Sequence, residues 1–177
     1  GAQVIDADLV AHEVMRPGGL AYLKVIGAFG DSIVSSDGAI DRRQLGAIVF
    51  SDAERLQVLE RIIHPLVVAR IGEMLKESQT AIVVVEAIKL LESGLNTLCN
   101  EIWVVTSPRT TQIKRLKDTR GLKRSDAIMR IGAQPPQAEK VKVANVVIQN
   151  TGSLEDLRAR VEQEWARISQ AVAAQTP

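Results

Sequence analysis

The 177 residues carry 22 Lys and Arg against 21 Asp and Glu, a net charge of +1, with 46% hydrophobic and 24% charged residues. That is the make-up of one globular domain, and it excludes a disordered or fibrous chain. Near-neutral charge and 3% aromatic content argue against a nucleic-acid partner, and no apolar run approaches the ~20 residues of a membrane span.

The chain opens Gly1-Ala2-Gln3, without Met, and no basic segment followed by an apolar one reads as a signal peptide. It is expected to start part-way into something longer. Gln3-Val4-Ile5 is a short β-like run that ends in Asp6-Ala7-Asp8. Leu9, Val10, Val14 and Met15 then have helical spacing, and Pro17-Gly18-Gly19 stops them. Leu20 to Phe29 is a second helical piece closed by Gly30, and Ser36-Asp37-Gly38 is a turn. Asp41 is placed to cap a helix over Arg42 to Phe50. Ser51 and Glu54 have capping-box spacing. The helix they open carries Leu56, Leu59, Ile62 and Ile63, and Pro65 is expected to kink or restart it before it resumes to about Ser78.

Ala81 to Val85 is a continuous β-branched run, suited to a strand buried on both faces, and Glu86 ends it. Ile88 to Cys99 reads as helix or loop. Ile102 to Val105 is a second buried strand. Ser107 followed by Pro108 marks a helix start, with the helix running to about Lys117. Lys or Arg then occupies 114, 115, 117, 120, 123, 124 and 130, and Ser125 to Gln134 has helical spacing. Asn145 to Ile148 is a third buried strand. Ser153 to Asp156 opens a terminal helix bearing Leu157, Val161, Trp165 and Ile168. Strands alternating with helices predict a parallel sheet with helices on both faces. The largely helical stretch before Ala81 is too long for one crossover and predicts a helical subdomain.

Ligands of open parallel sheets bind beyond the carboxyl ends of the strands. Asp6 and Asp8, Glu86, Thr106-Ser107 and Asn150 lie there. A carboxylate at that edge can orient a hydroxyl and accept its proton, or hold Mg²⁺ through water. It can equally be a helix cap. The basic stretch has two readings, a solvated helix face or a lid whose Arg forks close over phosphates. His12 and His64 are too far apart in sequence to read as a metal pair. Met15, Met74 and Met129 read as packing. Cys99 reads as a small buried apolar residue; alone, it excludes a disulfide framework and a Cys-based zinc site and fits a reducing, cytoplasmic compartment. The phosphate-loop pattern G-x-x-x-x-G-K-[ST] does not occur in the 177 residues.

Several ordered strings resemble the dephospho-CoA kinase family. They are Val4-Ile5-Asp6-Ala7-Asp8 with His12, Asp41-Arg42-Arg43-Gln44-Leu45 with Val49-Phe50, and Leu59-Glu60 through His64-Pro65. They continue with Gln112, Arg115-Leu116, Ala127, Arg130-Ile131, Gln134, Glu139-Lys140, and Val146-Val147-Ile148 with Asn150 and Gly152. The resemblance implies an α/β fold of P-loop NTPase type: a parallel sheet with flanking helices, a helical CoA-binding subdomain over about 9–78, and a lid over about 117–143, all in one domain spanning 1–177. It implies transfer of the ATP γ-phosphate to the ribose 3′-hydroxyl of dephospho-CoA, with ATP, Mg²⁺ and dephospho-CoA as partners.

By the same resemblance Asp8 is the base or orienting group and a water-mediated Mg²⁺ contact. Asp6 supports it, and Arg42 and His64 hold the acceptor. Arg120 and Arg130 are lid arginines, and Asn150 and Gly152 lie by the adenine. Four positions depart from the family pattern: the first lid arginine aligns with Thr119, one place before Arg120; Ala87-Ile88 stands where a Pro usually follows the second strand; Asn145 stands where the family has Asp; and Val68 stands where Arg is frequent. The family's opening strand, glycine loop and helix, ~25–30 residues, are expected to lie outside this sequence. Two alternatives accompany this reading. One is a non-catalytic CoA-ligand or partner-binding protein with a kinase-like fold. The other is a P-loop kinase for a nucleoside or small metabolite, against which the Asp41-Arg42-Arg43 and His64-Pro65 strings argue.

Overall fold

The computed structural model describes residues 1–132 and 134–174. They fall into two compact units, Gly1–Leu98 and the chain from Cys99 onward. Each contains one parallel pair of strands.

In the first unit β1 (Gln3–Asp6) pairs in parallel with β2 (Val83–Glu86), with Gln3 opposite Val83 and Asp6 opposite Glu86. Between them run α1 (Ala7–Met15), α2 (Tyr22–Phe29), α3 (Arg42–Ser51) and α4 (Ala53–Glu77). Ile5, Val10, Val25, Ile33, Leu59 and Ile71 are among the residues of one continuous core. The helices expected from the apolar spacing are therefore present, and their apolar stripes explain them. In α1, Ala7, Val10 and Val14 recur at three and four residues and are all buried. Arg70 of α4 reaches Glu13 of α1 at 3.3 Å across the same packing.

The helix starts differ in detail from the sequence reading, and hydrogen-bond geometry gives the reason. The strand turns into helix with no intervening loop, because Asp6 ends β1 and also caps α1. Its Oδ1 accepts from the N–H groups of Asp8 at 2.8 Å and Leu9 at 3.2 Å. Asp41 caps α3 in the expected way, accepting from Arg43 and Gln44. Those backbone bonds hold the Asp41 carboxyl below its ordinary pKa. At α4 the cap is Asp52, which accepts from Glu54 and Arg55. The expected Ser51–Glu54 box does not form, since Ser51 ends α3 and turns its hydroxyl onto the Ile48 carbonyl.

Pro65 does not break the chain into two helices; α4 is one helix of 25 residues with the proline inside it. Proline removes the hydrogen bond that residue 65 would give to the carbonyl of Arg61. Leu59 on one side and Val67 and Ile71 on the other are buried in the same core, and that packing holds the helix across the gap. The segment after β2 resolves as turns and a 3₁₀ turn at Leu95–Leu98.

The two strands of the first unit are not buried on both faces. Ile5 is 1% exposed, whereas its neighbour Val4 is 64% and Val84, opposite Val4, is 42% exposed. Alternation of this kind marks a pair with one covered face.

In the second unit β3 (Trp103–Thr106) pairs in parallel with β4 (Val146–Gln149), with Thr106 opposite Gln149. α5 (Arg109–Arg120), α6 (Arg124–Gly132) and α7 (Gln137–Lys142) lie between them in sequence, and α8 (Leu154–Ala173) follows. Ser107 is not the cap of α5; Pro108 holds that place, and Gln112 instead reaches back to the Ser107 carbonyl at 2.7 Å. α5 also runs three residues past the expected end, because Gly121 at φ +62° supplies the left-handed C-cap. Asn145 does the work its position demands, since its Oδ1 accepts from the Ile102 N–H at 2.8 Å and pins the start of β4 to β3. α8 opens with the capping box of Ser153 and Asp156. Arg167 clasps Glu101 with two bonds of 2.9 and 2.7 Å, and Trp103 donates to the same carboxylate at 3.0 Å. No helix among the described residues is long and apolar enough to cross a membrane.

The two carboxylates near the end of β1 should separate in stability experiments. Asp6→Ala removes a cap and should cost about 1 kcal/mol in urea unfolding. Asp8→Asn alters only a first-turn charge and should cost on the order of 0.5 kcal/mol or less.

The Arg167 clasp holds the Glu101 carboxyl down at about 2, against an ordinary value of 4.5. A depressed carboxyl adds stability that is complete above its ordinary pKa and is lost as pH falls through the folded value. Glu101→Gln should therefore flatten the loss of stability between about pH 4.5 and 2, followed by thermal melts across that window.

Candidate functional site

Two places in the first unit and one in the second gather polar side chains at the carboxyl ends of strands or between helices. The first is built on α1. Asp8 lies in its first turn with an exposed side chain, and His12 follows four residues later. Residues at that spacing share a helix face, with Cβ atoms roughly 5–6 Å apart. His12 lines a cleft of about 190 Å³ together with Met15, Arg16 and Pro17 of the α1 end and Ala39, Ile40 and Arg42 of the α3 start. The Asp41 cap sets Arg42 at the first position of α3, while buried Leu45 anchors the helix one turn on. This explains the Asp-Arg-Arg-Gln-Leu string: one residue starts the helix, one fixes it to the core, and one is free to face the cleft.

The electrostatics join these groups into one constellation. Burial, then the Arg42 guanidinium, push the His12 pKa below its ordinary value, against the opposing pull of Asp8 and Asp6. The lowered pKa favours the neutral imidazole, which offers one N–H and one lone pair. Asp6 has its Oδ1 committed to the helix cap, whereas the Asp8 side chain is exposed in the first turn. Among the described residues no group of three or more His, Cys, Asp and Glu side chains is arranged to hold a metal ion. Asp8 fits only a single carboxylate contact made through water, a mode Mg²⁺ commonly uses because it keeps several waters.

His64 is elsewhere. It lines a larger, open recess of about 750 Å³ with Gln57, Glu60, Arg61 and Pro65 of α4 and Glu92, Ser93, Gly94 and Thr97 of the following turns. Lys89 pairs with Glu60 there. Burial lowers the His64 pKa, with Lys89 adding to the effect and Glu60 and Glu92 opposing it. His64 and Arg42, expected together on the acceptor side, thus line separate recesses of the same unit.

In the second unit Asn150 follows β4, and its N–H donates to the Thr106 carbonyl at 2.8 Å. Its side-chain oxygen accepts from Arg115 of α5 at 2.9 Å, which ties the end of β4 to the basic helix. Gly152 stands against the α8 cap, where an added Cβ would come 2.6 Å from Asp156 Oδ2. Any side chain there would displace the capping box. Arg120 is the last residue of α5 and Arg130 lies in α6, both exposed and in the basic helical stretch. Thr119 turns its hydroxyl onto the Arg115 carbonyl, so Arg120 and not Thr119 carries the charge at that helix end. The Cys99 thiol is half-buried and its pKa is raised by burial, which suppresses the reactive thiolate.

The sequence presents His12 as one member of a family string and as too distant from His64 for a metal pair, and it does not single out Arg16. The i, i+4 spacing of Asp8 and His12 was the available signal for the first. For Arg16 there was none, because it depends on α3 folding back beside the end of α1.

Comparison with known proteins places this architecture. The chain is 44% identical to a dephospho-CoA kinase of Carboxydothermus hydrogenoformans, over 93% of this chain and 83% of that protein. It is 42% identical to one of Geobacter sulfurreducens, over 94% and 86%. Among solved structures it resembles TT1252 from Thermus thermophilus, with a TM-score of 0.77 and 33% identity over 94% of this chain and 85% of that one. It also resembles the dephospho-CoA kinase from Campylobacter jejuni, with a TM-score of 0.69 and 29% identity over 97% and 87%. The model of the CoaE dephospho-CoA kinase family matches residues 1–156, and the chain belongs to that family.

Proposed function

We infer that this chain transfers the γ-phosphate of ATP to the ribose 3′-hydroxyl of dephospho-CoA, giving coenzyme A and ADP. Family membership supports the reaction, and one geometric observation supports the placement of its chemistry. Asp8 presents an exposed carboxylate just beyond the carboxyl end of a parallel strand, while Asp6 beside it is occupied in capping. Asp8 accepts the hydroxyl proton as the 3′-oxygen forms its bond to the γ-phosphorus and the bond from that phosphorus to the bridging oxygen of ADP breaks. Asp6 holds the first turn of α1 in place so that Asp8 keeps its aim. Mg²⁺ bound with ATP would neutralise phosphate charge, and Asp8 is the residue that would hold it, through water.

The helical part over about 9–78 takes the acceptor, with Arg42 in the cleft beside α1 and His64 in the wider recess. The stretch over about 117–143 is the lid, and the whole 1–177 acts as one catalytic domain. Arg120 and Arg130 suit the lid role because a guanidinium stays charged and binds phosphate oxygens two at a time. Asn150 and Gly152 form the loop for the adenine, with the Arg115 bond holding Asn150. The residues named account for the acceptor and lid sides of the reaction. The backbone cradle of a glycine-rich phosphate loop is not among these 177 residues.

In the full protein Asp8→Asn should lower kcat for dephospho-CoA phosphorylation by about 10²–10⁴. ATP affinity, measured by calorimetry, should stay within a factor of two or so. A loss of less than tenfold would return Asp8 to a helix-terminus charge with no part in proton transfer.

A further inference from the structure

A ring of hydrogen bonds in the second unit joins three segments that are apart in sequence. Ser107 leaves β3 with both backbone groups engaged. Its carbonyl accepts from Gln112 Nε2 at 2.7 Å, and its N–H donates to Gln137 Oε1 at 3.4 Å. Gln112 Nε2 closes the ring by donating its second hydrogen to the same Gln137 oxygen at 3.3 Å. The Ser107 hydroxyl takes no part; it is buried with no partner among the described residues. The end of β3, the start of α5 and the first residue of α7 therefore meet at one amide oxygen.

That oxygen matters because apolar packing does not fix α7. The helix has six residues, too few to be stable by itself, and none of them is buried. α6 differs, since it packs on α5 and its Ala127 is fully buried. Gln112 and Arg115 are three residues apart on α5 and so share a face of it. Arg115 holds Asn150 beyond β4, and Gln112 holds Gln137. One helix face thus sets both the loop after β4 and the start of α7.

We propose that Gln137 is a positioning residue for ATP. Its oxygen fixes the start of α7, and with it the point to which the lid returns, relative to the loop that carries Asn150. With that point fixed, Arg130 of α6 keeps its place for the phosphates. The proposal rests on the lid and adenine roles given above. Gln137 touches no reacting atom. Without its oxygen the lid return is looser, and ordering it again is a cost that ATP binding has to meet.

Gln137→Leu and Gln137→Glu in the full protein test this. Leucine removes the acceptor, whereas glutamate keeps an oxygen at the same reach and adds a charge that suits a helix start. In Gln137→Leu the KM for ATP and its calorimetric Kd should rise about 3–20-fold, the weight of one or two ordinary hydrogen bonds. The KM for dephospho-CoA should stay within about twofold, and Gln137→Glu should restore most of the loss for ATP. Amide exchange gives a readout that needs no catalysis: the Ser107 N–H and the α7 amides should exchange faster in Gln137→Leu than in the wild type.

Unchanged ATP binding or unchanged exchange in Gln137→Leu overturns the proposal. So does a rise in KM shared equally by dephospho-CoA, which marks a loosened fold, or a Gln137→Glu protein as weak for ATP as Gln137→Leu. The proposed reaction fails separately, on the absence of phosphate transfer by the wild-type full protein. ATP binding that still depends on Gln137 would then keep the latch without the reaction. Transfer by a Gln137→Leu protein with wild-type ATP affinity would keep the reaction without the latch.

Discussion

The candidate site of the first unit depends on a junction of no length. Asp6 is the last residue of β1, opposite Glu86 on the neighbouring strand, and in the same position it caps α1 through bonds to Asp8 and Leu9. A loop between strand and helix would let the helix swing. Here the strand's hydrogen-bonded register and the helix's first N–H groups share one residue, so the direction of α1 is fixed by the sheet. Ile5 behind it is 1% exposed, and Ala7 and Val10 enter the same core, so packing and capping agree on one geometry. Asp8, His12 and the cleft beyond them inherit their positions from that agreement.

The long helix α4 carries the other half of the constraint. It spans 25 residues, packs on α1 and contributes Leu59, Val67 and Ile71 to the core. Proline within it would break an isolated helix, costing about 3 kcal/mol in an exposed helix interior. Buried residues on both sides of Pro65 outweigh that cost, which is why the helix does not restart there. The same proline leaves the Arg61 carbonyl without its helical donor, beside the recess that His64 lines. In the second unit the corresponding fixed points are polar. Asn145 pins β4 to β3, Arg115 ties Asn150 to α5, and Gly152 leaves room for the Ser153–Asp156 box.

A division of labour among carboxylates follows from these structures. Asp6, Asp41, Asp52 and Asp156 all sit at helix starts with their oxygens committed to backbone N–H groups. Glu101 is committed to Arg167 and Trp103. Asp8 is within the first helical turn, past the cap, where its side chain points outward and its own N–H is already satisfied by Asp6. Position relative to the cap, a matter of two residues, separates a structural carboxylate from one available to a substrate.

The sequence by itself determined the order of the strands and of the longer helices, the parallel strands, the helical stretch between the first two of them, and the family to which the ordered strings belong. These follow from periodicity, turn residues and residue identity, all local properties of the chain. It also marked Asp6 and Asp8 as a pair without deciding which was the cap. Tertiary structure decided that, along with the continuity of α4 through Pro65 and the one-sided burial of strands that composition made look buried on both faces. It alone separated His64 from Arg42 and joined His12, Arg16 and Arg42. Each of these outcomes depends on which elements pack together, and contacts between residues far apart in sequence leave no local pattern to read.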